Sequence, residues 1–122
     1  MKKIIRFVPS IIWMVVIFYF SAQQTTGVPG TYTERFVILK SFHLIEYAVL
    51  GILLLWAYTK YKSAIITAYL YACTDEIHQL FTPGRTSKFT DTLIDLLGIS
   101  LGLLTIKYII LPLWRKYRYT EL

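Results

Sequence analysis

The stretch SAIITAYLYACTDEIHQLF, residues 63–81, decides the architecture. Ala64 to Cys73 is mostly apolar, and Thr74, Asp75, Glu76, His78 and Gln79 then follow in close succession. A helix needs about 20 largely apolar residues to cross roughly 30 Å of hydrocarbon. By hydropathy alone the apolar half is no longer than a buried or interfacial segment. The flanking charges argue for a crossing. If residues 63–81 span together with three other apolar stretches, Lys2, Lys3, Arg6, Lys60, Lys62, Arg115, Lys116 and Arg118 fall on one side. Lys107 can snorkel to that side. Arg35, Lys40, Arg85 and Lys88 fall on the other. This is the positive-inside asymmetry of a membrane protein whose basic side is cytoplasmic. If residues 63–81 do not cross, the basic segment Arg115 to Arg118 is stranded outside.

The other spans are read at about residues 4–22, 41–59 and 90–113. The expected fold class is therefore all-α. Residues 1–122 form one domain, an up-down bundle of four transmembrane helices with both termini in the cytoplasm, multi-pass in the plasma membrane. Composition agrees: 56% of residues are hydrophobic and only 16% charged, where a soluble domain has about a quarter. The net charge of +6 does not point to nucleic acid, because the basic residues lie between apolar stretches. Membrane lipid headgroups are the expected partners. The single cysteine, Cys73, excludes an intrachain disulfide and is read as packing. Met1-Lys2-Lys3 opens like a signal peptide, but the apolar run continues to Phe20 without a small-x-small cleavage site, which favours an uncleaved first span.

Local signals place the connections. Pro9 suits the first turns of a helix, where a missing N–H matters least. Thr59 to Lys62 is a very short loop, so the second and third helices should be antiparallel neighbours. Thr82-Pro83-Gly84-Arg85 is a turn signal. Gly27-Val28-Pro29-Gly30 breaks any helix, and Thr33 to Lys40 reads as one or two amphipathic turns on the outer surface. Trp56, Tyr58, Tyr61, Trp114 and Tyr117 fit an inner aromatic belt.

The acids carry the functional reading. Glu34 is in a loop and Glu121 in the tail; Glu46, Asp75, Glu76, Asp91 and Asp95 all fall in the outer third of the spans, level with His43, His78, Gln79 and Arg85. Ionisable groups at membrane depth are costly and usually face the bundle interior or a wet cavity. Helical spacing puts His43 with Glu46, Asp75 with His78 and Gln79, and Asp91 with Asp95. The last stripe continues into Gly98 and Gly102, a pattern that permits close helix approach. Against the five carboxylates stand Lys40, Arg85 and Lys88, so protons or a bound cationic group must make up the difference.

Two motif-like strings do not carry chemistry. Asp75-Glu76-Ile77-His78 imitates a helicase box, yet there is no Gly-rich phosphate loop. Asp75-x-x-His78 echoes the Glu-x-x-His of carboxylate-bridged metal bundles, yet the second copy is missing and His43-x-x-Glu46 runs the other way. Neither a metal site nor a cofactor is expected.

The residues resemble the VanZ-like family of bacterial membrane proteins. The matching elements are Phe20-Ser21-x-Gln23, Lys40-x-x-His43-x-x-Glu46-Tyr47-x-x-Leu50-Gly51, Asp75-Glu76-x-His78-Gln79-x-Phe81-x-Pro83-Gly84-Arg85 and Asp91-x-x-x-Asp95-x-x-Gly98-x-x-x-Gly102. The family is named for a protein linked to teicoplanin resistance. The resemblance implies a role at the cell envelope, with lowered sensitivity to lipoglycopeptides as one expectation. The expected ligand site comprises Lys40, His43, Glu46, Asp75, Glu76, His78, Gln79, Arg85, Asp91 and Asp95, taking a cell-wall precursor or a glycopeptide. A hydrolase or transferase acting on an envelope lipid is the alternative, with His43, His78, Asp75 and Glu76 as candidate acid and base. Proton-linked transport is disfavoured, because the inner half of the bundle offers Lys107 but no carboxylate or His to continue a relay. The remaining alternative is purely structural, with Arg85 neutralising Asp75, Glu76 or Asp91 and His43 bonded to Glu46.

Overall fold

The computed structural model describes residues 2–85 and 87–120, with side chains as far as residue 116; Tyr117 and Arg118 of the expected inner belt and basic tail, and Glu121, lie outside the described side chains. The elements are α1 (Lys2–Ile5), α2 (Val8–Ser21), α3 (Tyr32–Tyr58), α4 (Tyr61–Gln79), α5 (Asp91–Thr105), a π-helical turn (Ile106–Ile110) and α6 (Leu111–Thr120). The described residues contain no strand. The all-helical expectation is met.

Two prolines shape the ends. Pro9 has no N–H to offer Ile5, and the first span is interrupted there, with α2 restarting at Val8. Pro112 follows the π-helical turn, in which the Leu111 N–H reaches back to the Ile106 carbonyl. Lys2–Ser21, Tyr32–Tyr58 and Asp91–Lys116 are each long and apolar enough to cross a membrane.

α3 begins nine residues earlier than the span read from hydropathy. Thr31 caps it: the Thr31 Oγ1 accepts from the Glu34 N–H at 3.3 Å, and the Glu34 carboxylate accepts from the Thr31 N–H at 2.8 Å. This capping box satisfies two end-of-helix donors reciprocally. Thr33 to Lys40 is thus the first part of one 27-residue helix, not a separate surface turn.

At the opposite end Thr59, in a left-handed conformation (φ 61°), closes α3 and turns the chain straight into α4. α3 and α4 are the expected antiparallel neighbours. Phe7 packs edge-on against Tyr58, and Arg6 lies over the Trp56 ring, so the start of α2 sits at this end too. The chain therefore runs up and down through α2, α3, α4 and α5. One end carries the Thr59-Lys60 turn and the other carries the loops 22–31 and 80–90.

α4 is not among the three apolar helices, and its buried residues explain why. Ala64, Ala68, Ala72, Asp75, Glu76 and Gln79 form a single inward stripe. Small alanines let the helices approach at one end, and polar groups replace them at the other. Asp75 and Glu76 straddle the inward direction, so both are buried even though neighbours on a helix point about 100° apart. The apolar core is Ile17, Tyr47, Leu50, Leu54, Ala64, Ala68, Ala72, Ile99 and Leu103. Ile12, Phe42, Ile45, Leu70, Leu97 and Ile109 point outward and are exposed, as befits a protein whose outer surface meets lipid.

α5 lies directly against α3. A methyl group on Gly98 would collide with the Leu44 carbonyl oxygen, and one on Gly102 with that of Ala48. The two glycines are where the backbones meet, and that approach brings the acids of α5 within reach of α3.

Candidate functional site

The polar residues converge at the end carrying the loops 22–31 and 80–90. Asp75, Glu76, Asp91 and Asp95 are all buried there, Asp95 completely. They form two linked groups.

The first group is built around His43. Its Nδ1 lies 3.1 Å from Asp95 Oδ1, joining α3 to α5. Its Nε2 lies 3.3 Å from the Gln79 amide nitrogen. A neutral ring with its proton on Nδ1 satisfies both contacts, donating to Asp95 and accepting from Gln79. The same amide nitrogen is 3.3 Å from both Asp75 Oδ2 and Ser21 Oγ, so its two hydrogens face three acceptors. Tyr47 donates its hydroxyl to Asp75 Oδ2 at 3.1 Å.

The second group is built around Lys40. Its ammonium is 2.9 Å from Asp91 Oδ2 and 3.8 Å from Glu76 Oε1. Ser87 donates to Glu76 Oε2 at 2.6 Å, and the Lys88 backbone N–H donates to Asp91 Oδ2 at 3.2 Å. Lys88 thus contributes its backbone, while its side chain is exposed.

The expected partnerships were partly different. His43 pairs with Asp95, not with Glu46. Glu46 is half-buried on the neighbouring face, where it borders a groove and its carbonyl accepts from the Trp13 indole at 2.8 Å. Among the described residues, Arg85 bonds no carboxylate. Its Nε and Nη2 donate to the backbone carbonyls of Gln23 and Phe20 at 3.2 and 2.9 Å. Burial lowers the Arg85 pKa from its ordinary value, with Asp75, Glu46 and Glu76 opposing that shift. Gly84, at φ +78°, sets the turn before it; a side chain there would meet Thr26. The Gly84 carbonyl accepts from Thr25 Oγ1 at 2.6 Å, tying the two loops together. His78 is not part of the cluster: it stacks on Phe18 of α2, with ring centroids 4.1 Å apart.

Two cavities open beside these groups. One, of about 160 Å³, is lined by Thr25, Thr26, Tyr32, Arg35, Phe36, Leu39, Lys40, His43, Gln79, Gly84 and Arg85. The four buried acids lie behind this wall and do not line it. The other, of about 440 Å³, is a largely apolar groove that includes Trp13, Phe20, Val28, Leu39, Phe42 and Ile45, with Glu46 and Arg85. Both share Thr25, Leu39, His43 and Arg85.

Arg35 was absent from the expected site. Its Nε is buried without a hydrogen-bond partner beside the smaller cavity. The signal was present as Thr31-x-x-Glu34, which extends α3 backward. Stepping back from His43 by four residues at a time then gives Leu39 and Arg35 on one face.

A helical bundle with lipid-facing apolar surfaces and an internal polar network at one end defines a polytopic membrane protein of the cell envelope. The VanZ/LLP1 family model matches residues 7–111, and the chain belongs to that family. No curated protein and no solved structure matches the chain.

Proposed function

We propose that the protein binds an amphiphilic envelope molecule with an anionic headgroup, such as a lipid-linked cell-wall intermediate or an acyl-bearing glycopeptide. The observation that carries this reading is the adjoining pair of cavities. The smaller holds Arg35, Lys40 and Arg85, and the larger is a groove of Trp13, Phe20, Leu39, Phe42 and Ile45. Arg85 spends two N–H groups on carbonyls and retains three for a ligand. A guanidinium can meet a phosphate or carboxylate with two parallel hydrogen bonds. A headgroup in the basic cavity leaves its tail beside the groove, in contact with lipid.

In this proposal α4 crosses the bilayer with the other three helices, and the site faces away from the cytoplasm. The charges support that orientation: Lys2, Lys3, Arg6, Lys60, Lys62, Arg115 and Lys116 belong to the end opposite the site. Occupancy of the site lowers sensitivity to teicoplanin-like antibiotics, either by holding the precursor or by holding the drug.

The test uses purified protein in nanodiscs of zwitterionic lipid. Binding of a phosphate-headgroup lipid is expected to saturate, to weaken with salt and to fall about tenfold in Arg35→Gln and again in Arg85→Gln, each removing a charge-assisted contact. Equal binding of anionic and zwitterionic lipids would refute the reading. Cysteine labelling in a Cys73→Ser background is expected to mark Thr33 from outside and Tyr61 from inside; the reverse pattern refutes the orientation.

A further inference from the structure

A further feature joins the two buried groups. His43, Glu76 and Asp95, from three different helices, each offer a donor atom, and these atoms all lie within 4.8 Å of one another. All three residues are buried. Asp95 Oδ2 and Glu76 Oε1 have no hydrogen-bond partner, and neither has the neighbouring Asp75 Oδ1. A buried acceptor left without a donor is costly, and native structures rarely leave one without a reason. Among the described residues, the charged partner of Glu76 Oε1 is Lys40, at 3.8 Å, and the same ammonium sits closer to Asp91.

Charge adds to this. Among the described residues, Lys40 is the one ammonium paired with the buried carboxylates, and it meets two of the four, Glu76 and Asp91; Arg85 donates to carbonyls and the Lys88 side chain is exposed. Unpaired charges do not persist in a low-dielectric interior, so this end of the bundle calls for further positive charge.

We propose that His43, Glu76 and Asp95 bind a divalent transition-metal ion of the Mn²⁺ or Zn²⁺ type. The donor set selects the class: one imidazole nitrogen with two carboxylate oxygens suits these ions, whereas Ca²⁺ and Mg²⁺ prefer oxygen throughout. Zinc bonds to imidazole and carboxylate run about 2.0–2.2 Å, so two donors on one such ion stand at most roughly 4.4 Å apart. Donors spread over as much as 4.8 Å need to draw in by only about half an ångström or somewhat more. The ion offsets two of the surplus negative charges and gives Asp95 Oδ2 and Glu76 Oε1 a partner. It also links α3, α4 and α5, the helices that position the cavity wall. The Asp75-x-x-His78 string considered from sequence supplies none of these ligands, because His78 is turned toward Phe18.

The experiment uses the metal alone, without any added ligand lipid, so its outcome is separate from that of lipid binding. Full-length protein in zwitterionic nanodiscs is stripped with a chelator and titrated with MnCl₂, followed by electron paramagnetic resonance. Saturable binding of one Mn²⁺ per chain is expected, with a nitrogen coupling from imidazole that disappears in His43→Gln. Glu76→Gln is expected to weaken binding by at least about tenfold, the lower end of what even outer-sphere changes cause. Lys88→Gln is expected to leave it unchanged. Zn²⁺ is expected to compete for the same site and to raise the unfolding temperature of the stripped wild-type protein. Absence of saturable binding of either ion to wild-type protein below about 1 mM overturns the proposal. So does a nitrogen coupling that survives in folded His43→Gln.

Discussion

Replacing Lys40 with methionine removes the ammonium paired with Asp91 and Glu76 while keeping most of the side-chain volume. In the wild type the Lys40 ammonium stands 2.9 Å from Asp91 and 3.8 Å from Glu76, with side-chain exposures of 13%, 7% and 5%. At an effective dielectric constant of about 20, unit charges 2.9 Å apart attract by roughly 6 kcal/mol. Desolvation of both partners offsets part of that attraction, but the variant keeps the buried carboxylates and loses their counter-charge. Breaking a buried pair in this way typically costs about 3–5 kcal/mol, and that is the expected loss. Asp91→Asn should cost less, because Lys40 retains Glu76 and an amide oxygen can still accept from the Lys88 N–H. The double variant should recover part of the Lys40→Met loss, giving a coupling of about 1–3 kcal/mol. The assay is reversible unfolding by SDS in mixed micelles, with chelator present, read by circular dichroism and tryptophan fluorescence. A Lys40→Met loss below about 1 kcal/mol, or strictly additive effects in the cycle, would show that the contact is not an energetically coupled ion pair.

Other outcomes follow from single contacts. Gly102→Ala drives a methyl group onto the Ala48 carbonyl and should destabilise the bundle by about 1–3 kcal/mol, measured by the same SDS titration. Thr31→Ala removes the capping box and should cost about 1 kcal/mol, with hydrogen exchange rising in residues 32–36 and not at the centre of α3. Thr25→Val cuts the link to Gly84; anionic-lipid affinity should fall while overall stability changes by no more than about 1 kcal/mol. Arg35→Gln should weaken lipid binding while leaving Mn²⁺ affinity unaltered, because Arg35 borders the cavity and is not among the three donors.

Much of the candidate site was legible from helical spacing. Asp91, Asp95, Gly98 and Gly102 share one buried stripe on α5, as their intervals of four, three and four residues require. Lys40, His43 and Gln79 do meet at one end of the bundle. Partner choice was not legible. His43 found Asp95, 52 positions away, in place of the helical neighbour Glu46. His78 is one residue from Gln79, yet it falls on the α2 side of α4, where Phe18 takes its ring. Arg85 reached the carbonyls that end α2, because Gly84 and the Thr25 contact aim the loop that way. These partnerships depend on the rotation and axial offset of each helix against the next, and no spacing along one helix encodes either.

Length, composition and helical periodicity by themselves determined that this chain is an all-helical membrane protein with its acids gathered toward one end, because an apolar environment forces backbone hydrogen bonds into helices and makes misplaced charge expensive. Only the tertiary structure decided which acids pair with lysine and which keep an unpartnered oxygen, and it alone placed basic side chains in the cavity wall with the carboxylates behind them. The physical reason is the close contact at Gly98 and Gly102, which brings α5 against the α3 backbone and sets the level at which side chains from separate helices meet.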